Sequence, residues 1–551
     1  MKCIDKFFAV LGFSALLVSC GEKSAVQLKK GPLPEKSVAG QVLNISFDAT
    51  IDTLDQQKAV YASSFEMIGN MIDGLMQMAD DGSVKKAVCE EETVSDDGML
   101  YTFKLRKDVF WSDGTPVTAR DFVYGWQRAV DPATQSEYAF MMSDIAQVKN
   151  AGAIMTGHMD PNQLGVRAVD DYTFEVQLEV PVSYFDQLLY FCTFYPANEE
   201  FMRKVGDKYG TSPETYLCNG AFVLTEYQPE AKSISFIKNT AYYDAANVKL
   251  GGLHYIFVQD GAEALRRYNS GELDLVEIDG DQVRTEKNNP DFKAIDSGFL
   301  FYISFNLDKP DLRNKALRNA LSLAFDRDLT AEEIADGSAP SYACVPRGYA
   351  FNSSGEDFTP ASPEFADVCS YNPGRARELL REAQRETGKS RFDIEFLVAD
   401  VDAQRTAAES FKRQVEQNLP GVTINLKIVP KADRRTIMLK HDFEIGLTNW
   451  GPDYADPMTY LSMWVTGNDN NNGNYSNPQY NALVARCSDG DLCTKPAERW
   501  QALKQAETMV MEDLAVTPVY QQCDADLIKP NVKNVAFHAV AINRIFKSTT
   551  K

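Results

Sequence analysis

Asn449-Trp450-Gly451-Pro452-Asp453-Tyr454-Ala455-Asp456-Pro457 holds residue types able to grip a small charged ligand. It follows Phe443 to Leu447, an apolar run that predicts a strand, and ligands tend to bind at strand ends in α/β sheets. Trp450 offers a flat apolar wall. Asp453 carries a negative charge just beyond it. An amine held between the strand end and Asp453 would form a charge-assisted hydrogen bond of about 1.5–3 kcal/mol. A plainer reading has Asp453 capping a helix that begins near Pro457, with Trp450 in the core. Taken alone, the residues favour that plainer reading.

Catalysis has less support. His158, His254, His441 and His538 are far apart, and none falls in a HExxH or similar metal spacing. No GxSxG elbow, P-loop or GxGxxG occurs. With 78 Asp plus Glu, any proposed acid/base pair has little specificity. No CxxC is present, so a four-cysteine metal site is not expected. The expectation is no enzyme, no metal and no cofactor.

The elements that must position the Trp450 stretch follow from periodicity. VLNISF (42–47), YTFKL (101–105) and DYTFEVQL (171–178) alternate as half-buried strands do. Val60 to Gly74 predicts a helix. Thr118 can N-cap a helix that places Phe122, Val123 and Trp126 on one side. Leu317, Ala320, Leu321, Ala324 and Phe325 are spaced as an amphipathic helix. Further on, strands at 394–398 and 422–428 bracket a helix at 403–419, an order that argues an α/β sheet. The run of Asn between 468 and 474 reads as an exposed loop.

Composition bounds the partners. A net charge of −22 argues against nucleic acid and anionic membrane as partners. Phe7 to Val18 is apolar but too short to span a bilayer, and Leu17-Val18-Ser19-Cys20 ends it like a lipoprotein box. Residues 1–20 therefore read as a lipoprotein signal peptide with Cys20 as the lipidation site. Residues 21–40 read as a flexible tether. The chain is expected to be exported and lipid-anchored, on the periplasmic or cell-surface side. Cysteines other than Cys3 and Cys20 are even in number, which allows disulfides. Cys487 and Cys493, enclosing SDGDL, are the best candidate pair; buried free thiols are the alternative.

Residues Tyr101 to Pro132 as a block closely resemble the signature of the peptide-binding family of extracytoplasmic solute receptors. Members deliver oligopeptides, dipeptides, nickel or murein peptides to ABC importers. Asn219-Gly220-Ala221-Phe222, Arg267 to Asp274, Ala316 to Leu321 with Asp326-Arg327, and Pro518-Val519-Tyr520 match the oligopeptide-binding branch in order and approximate spacing. The resemblance spans essentially the whole mature chain.

It implies an α/β, two-lobed periplasmic-binding-protein fold (class II type) with an additional inserted domain. Lobe I would combine 41–75, 219–298 and 521–551; the insert would be 76–218 and lobe III 299–520. The lobes would hinge near Ser297 and Tyr520. The ligand would be an oligopeptide held extended, paired by main chain like an added strand. Asp453 would take its α-amino group. Thr448, Asn449, Trp450 and Gly451 would supply the adjacent strand, and Val60, Tyr61 and Ala62 the opposite edge. Tyr138 would line a pocket. The family pattern has Glu where this chain has Val60, Arg where it has Leu447, and His where it has Gln404. A specialised ligand such as murein tripeptide, dipeptide, nickel or haem is therefore the alternative. The implied partner is an ABC permease, and the receptor would act as a monomer.

Overall fold

The computed structural model describes residues 30–35, 40–47, 51–352, 354–360, 365–452 and 454–551. The expected signal with Cys20, most of the tether, and Asp453 lie outside the described residues. The alternation of VLNISF produces strand β1, Val42–Phe47, with Leu43 and Ile45 fully buried. Helix α1 is Ala62–Met71, shorter at both ends than expected because Tyr61 and Ile72 are extended. Strands β2 (Cys89–Val94) and β3 (Leu100–Leu105) follow, the latter burying Tyr101, Phe103 and Leu105 while Lys104 stays exposed. Helix α2, Ala119–Val130, starts where Thr118 predicts: its N–H donates to the Asp121 carboxylate at 2.7 Å, and Phe122 and Trp126 are buried. With β4 (Val166–Asp170) and β5 (Thr173–Gln177) these strands make a separate four-stranded sheet, ordered β2-β3-β5-β4.

The chain then builds a much larger sheet. Its strands are β6 (Phe222–Glu226), β7 (Ser233–Lys238), β8 (Gly252–Phe257), β9 (Leu275–Ile278) and the long β10 (Phe292–Phe305). Helices α3 (Lys315–Leu323) and α4 (Pro373–Thr387) come next. β11 (Phe392–Ala399), helix α5 (Asp402–Asn418) and β12 (Val422–Val429) are followed by helix α6 (Lys431–Leu439) and β13 (Ile445–Trp450). β14 (Val516–Ile528) returns through the middle. The order is β12-β11-β13-β10-β14-β9-β1-β8-β7-β6, with Ala339–Pro340 paired beside β14.

β10 and β14 join two halves of this sheet. Phe292 to Asp296 pair with Cys523 to Leu527, and Leu300 to Ser304 pair with Val516 to Gln521; the ladder shifts between Asp296 and Leu300. That break falls where a hinge is expected, and Ser297 Oγ bridges it by donating to the Gln522 carbonyl at 2.9 Å. Gly298 sits there at φ +76°, and a Cβ on it would lie 2.9 Å from Pro452 Cγ. In the half built from β11, β12 and β13, one face packs Phe301, Ile303, Phe305, Ile445 and Leu447 against Leu317, Leu321, Leu380 and Phe411 of α3, α4 and α5.

Two expectations are corrected. The Asn run is not a plain exposed loop: Asn471 is buried, and its Nδ2 donates to the carbonyls of Val465 at 3.2 Å and Tyr475 at 2.8 Å. Its amide replaces main-chain partners inside the turn. No disulfide joins Cys487 and Cys493: both are free and buried, and Cys493 Sγ donates to the Cys487 carbonyl at 3.6 Å. Burial pushes the Cys487 thiol up to about 11, so it packs as a small apolar group.

Candidate functional site

A cavity of about 630 Å³ opens between the two halves of the large sheet. Val60, Tyr61 and Ala62 form one wall, backed by Tyr138 and Phe191. Val60 is held because its N–H donates to Asp52 at 2.8 Å. The Tyr138 ring stacks edge-on to Phe65 at 5.4 Å and beside Phe191 at 5.0 Å. Phe299 and Pro452 form the facing wall, and Gln522, Asp524, His538 and Asn543 lie between them.

The approach to Pro452 is β13, which runs three residues beyond the expected strand end at Leu447 and so includes Thr448, Asn449 and Trp450. On one side it pairs antiparallel with β10 from Ile445 to Trp450. On the other it pairs with β11 at Ile445 and Gly446 alone. The main-chain direction can be counted. Asn306 N–H donates to the Glu444 carbonyl at 2.9 Å, so Glu444 faces β10. Antiparallel ladders alternate, so Gly446, Thr448 and Trp450 also face β10. Ile445, Leu447, Asn449 and Gly451 therefore direct their N–H and C=O groups outward. β11 pairs at Ile445 and Gly446, Arg434 takes the Leu447 carbonyl at 2.8 Å, and no described strand covers Asn449 and Gly451. Gly451 leaves no room for a side chain, since a Cβ there would meet the Phe299 ring at 2.4 Å. Trp450 is half-buried and its Nε1 has no partner. Thr448 is buried in the ladder.

Val60, Tyr61, Ala62 and Tyr138 are thus brought together, with Asn449, Trp450 and Gly451 leading to the facing wall. Gln404 is not brought to this cavity. It lies in α5 at 3% exposure, on the same helical face as Ala407, Ala408 and Phe411, because spacings of three and four residues turn it inward. Its Oε1 has no partner. The sequence reading missed Gln522, Asp524, His538 and Asn543. One signal was present: Gln522, Asp524 and Asp526 are polar at every second position of a strand otherwise suited to burial.

Two of these missed residues are titratable groups held out of water. Burial raises the Asp524 carboxyl above its ordinary range, with Arg544 acting against it. His538 is buried with neither ring nitrogen partnered, and burial pushes it down to about 4, opposed by Asp80 and Asp81 and assisted by Lys85. The unfolded chain would protonate this ring near pH 6.5, before the folded one. Between pH 6.5 and 4 the unfolded state binds more protons, so stability rises with pH across that window. His538 thus makes acidification destabilising by on the order of 3 kcal/mol. His538→Asn should flatten that part of the curve, read as the urea midpoint at pH 4.5 against pH 7. An acid limb identical to that of the wild type would remove His538 from the account.

Among the described residues no three His, Cys, Asp or Glu side chains converge as metal ligands, and no helix is long and apolar enough to cross a membrane.

The model of the bacterial extracellular solute-binding proteins, family 5 Middle, matches residues 83–472. The dipeptide-binding protein of Lactococcus lactis subsp. cremoris is 30% identical over 548 residues, 97% of this chain and 96% of that protein. The structure of Listeria monocytogenes OppA bound to peptide is 33% identical and overlays with a TM-score of 0.64, covering 93% of this chain and 99% of that one. The unliganded open form of the murein tripeptide binding protein MppA is 27% identical, yet overlays with a TM-score of 0.83 over 94% of this chain and 99% of that one. The overlay is closer with that open form than with the peptide-bound structure, despite the lower identity. The two halves of the large sheet are the lobes of a periplasmic-binding-protein fold with an additional domain. The chain belongs to family 5 of the bacterial extracellular solute-binding proteins.

Proposed function

We propose that this protein is the lipid-anchored, extracytoplasmic substrate-binding component of an ABC importer, and that it captures oligopeptides extended between its lobes. The observation that carries this reading is the uncovered edge at Asn449 and Gly451, which leads to Pro452 in the lining of the cavity that Val60, Tyr61 and Ala62 also line. A peptide laid there gains main-chain hydrogen bonds without its side chains being read. Asp453, placed by the sequence pattern alone, is the proposed amine anchor. Closure about the β10–β14 crossing would bury the ligand and present the closed form to a permease. The working division is 41–75 with 219–298 and 521–551 as one lobe, 76–218 as the insert, and 299–520 as the other lobe. Cys20 carries the lipid, and the receptor is a monomer that does no chemistry on its ligand. Val60, Leu447 and Gln404 lack the charges of the oligopeptide pattern, which favours a specialised peptide as the second reading.

Native mass spectrometry of the protein as purified tests this. A ladder of bound peptide masses, released intact by acid, is the expected result, and Asp453→Ala should remove it, in line with the loss of one charge-assisted bond of about 1.5–3 kcal/mol. A single bound mass would instead select the specialised reading. Cleaved peptides, or no peptide bound after incubation with a mixed library, would overturn the proposal.

A further inference from the structure

Beyond Trp450, where β13 ends, the chain leaves the sheet, and side chains hold the loop that follows. The loop turns on itself, with Asp456 N–H donating to the Tyr454 carbonyl at 2.9 Å. Asp456 is gripped by Arg499 through two bonds, at 2.7 and 2.8 Å, and both side chains are buried. Arg499 belongs to the helix Pro496–Asp513 of the same lobe. Another contact comes from outside that lobe. The buried Tyr454 ring lies on the ring of Tyr184, with centroids 4.7 Å apart and planes 15° apart. The Arg499 guanidinium carbon also lies 5.3 Å from the Tyr184 ring centroid. Tyr184 therefore packs on the loop and on the cation that grips the loop.

Tyr184 is carried by the insert. It follows β5 and precedes a short helical turn, Phe185–Leu188. Phe185 is fully buried, and its ring packs on Tyr101 of β3 at 4.5 Å. The Tyr101 hydroxyl donates to the Val182 carbonyl at 3.2 Å. These contacts mount Tyr184 on the four-stranded sheet. The insert and the lobe approach closely elsewhere too: a Cβ at Gly98, in the turn between β2 and β3, would lie 2.9 Å from Thr494 Cγ2. The sequence neighbours of Asp453 are thus both held, Pro452 against Gly298 and Tyr454 against Tyr184. Stacked rings fix orientation as well as burying area. We propose that Tyr184 is a positioning residue through which the insert, acting on Tyr454, sets the ligand's amine anchor. The insert already lines one wall of the cavity with Tyr138 and Phe191. By this contact it also holds the loop of the facing wall.

This inference rests on the peptide-binding reading, with Asp453 as its amine anchor. It is tested by calorimetry on wild type, Tyr184→Ala, Tyr184→Leu and Tyr184→Phe. The ligands are a tripeptide and a hexapeptide, each with a free and with an N-acetylated amine. Wild type should prefer the free amine. Tyr184→Ala should weaken the free-amine peptides by about three- to tenfold, the worth of one aromatic pair, and leave the acetylated ones unchanged. Tyr184→Leu restores bulk without the flat ring and should behave as Ala does, while Tyr184→Phe should retain the wild-type preference. In an Asp453→Ala background Tyr184→Ala should add nothing, because both changes then act on one interaction. Urea midpoints measured alongside show that each variant is folded; if Ala is not, Leu and Phe carry the comparison. Equal weakening of free and acetylated peptides, an effect that persists without Asp453, or free-amine binding undiminished in Ala and Leu overturns the assignment. Tyr184 would then be packing between domains only. Wild type binding free and acetylated peptides alike, or neither, overturns the reading beneath it as well.

Discussion

Replacing Arg544 with Met should lower the unfolding free energy by about 3–5 kcal/mol, the usual consequence of leaving buried carboxylates without their cation. Arg544 Nε–H donates to Glu66 at 2.9 Å, and its Nη1 lies 3.8 Å from Asp526. All three side chains are within 7% of full burial. Burial already raises Asp526 to about 7 with the guanidinium present. Glu66 also accepts from the Tyr255 hydroxyl at 2.9 Å, so its place in the core is fixed. The damage should reach the site. Glu66 and Asn70 both lie in α1, and Asn70 Nδ2 donates to the Arg544 carbonyl at 3.0 Å while its Oδ1 accepts from Phe546 N–H at 3.0 Å. These bonds hold the middle and last turn of α1, the helix that follows Tyr61 and begins at Ala62, against the tail that carries His538 and Asn543 to the cavity. Urea unfolding checks the stability loss. The Arg544→Met/Glu66→Gln double variant should recover part of it, because no bare carboxylate then remains at position 66. A double variant no more stable than the single one would mean that lost packing, not the bare charge, sets the cost.

Asn449→Pro should weaken every peptide ligand by about 2–4 kcal/mol, whatever its sequence, with little cost to the empty protein. Proline removes a main-chain N–H. By the alternation counted from Glu444, that N–H faces the uncovered edge, so no ladder bond to β10 is lost, and proline is tolerated on such edges. A bound peptide would lose one hydrogen bond and would leave its own buried carbonyl unpartnered, which costs more than the bond itself. Thr448→Pro is the control: its N–H faces β10, so that variant should lower the urea midpoint before binding is considered. Peptide titration by calorimetry, with urea midpoints for both variants, separates the two positions. Undiminished binding in Asn449→Pro would mean that the ligand does not pair with this edge.

Much of the scaffold was legible because its signals are local. The alternation of VLNISF, the apolar spacing from Leu317 to Phe325 and the cap at Thr118 each depend on residues a few positions apart, and each produced its element. The cavity wall at Val60, Tyr61, Ala62 and Tyr138 was placed by resemblance and not by local physics, since nothing in those residues announces a ligand.

The sequence by itself determined where most strands and helices run, that they alternate as an α/β sheet, and which known signature they carry. Only the tertiary structure decided which polar groups would be left without partners. Gln404 turned inward because α5 presents that face to the core, and Cys487 and Cys493 packed without bonding. Arg544 found Glu66 across 478 positions, while Arg434 found a single carbonyl. A side chain's charge is written in its type. Whether that charge is compensated depends on neighbours brought together from distant parts of the chain, which no short window of sequence contains.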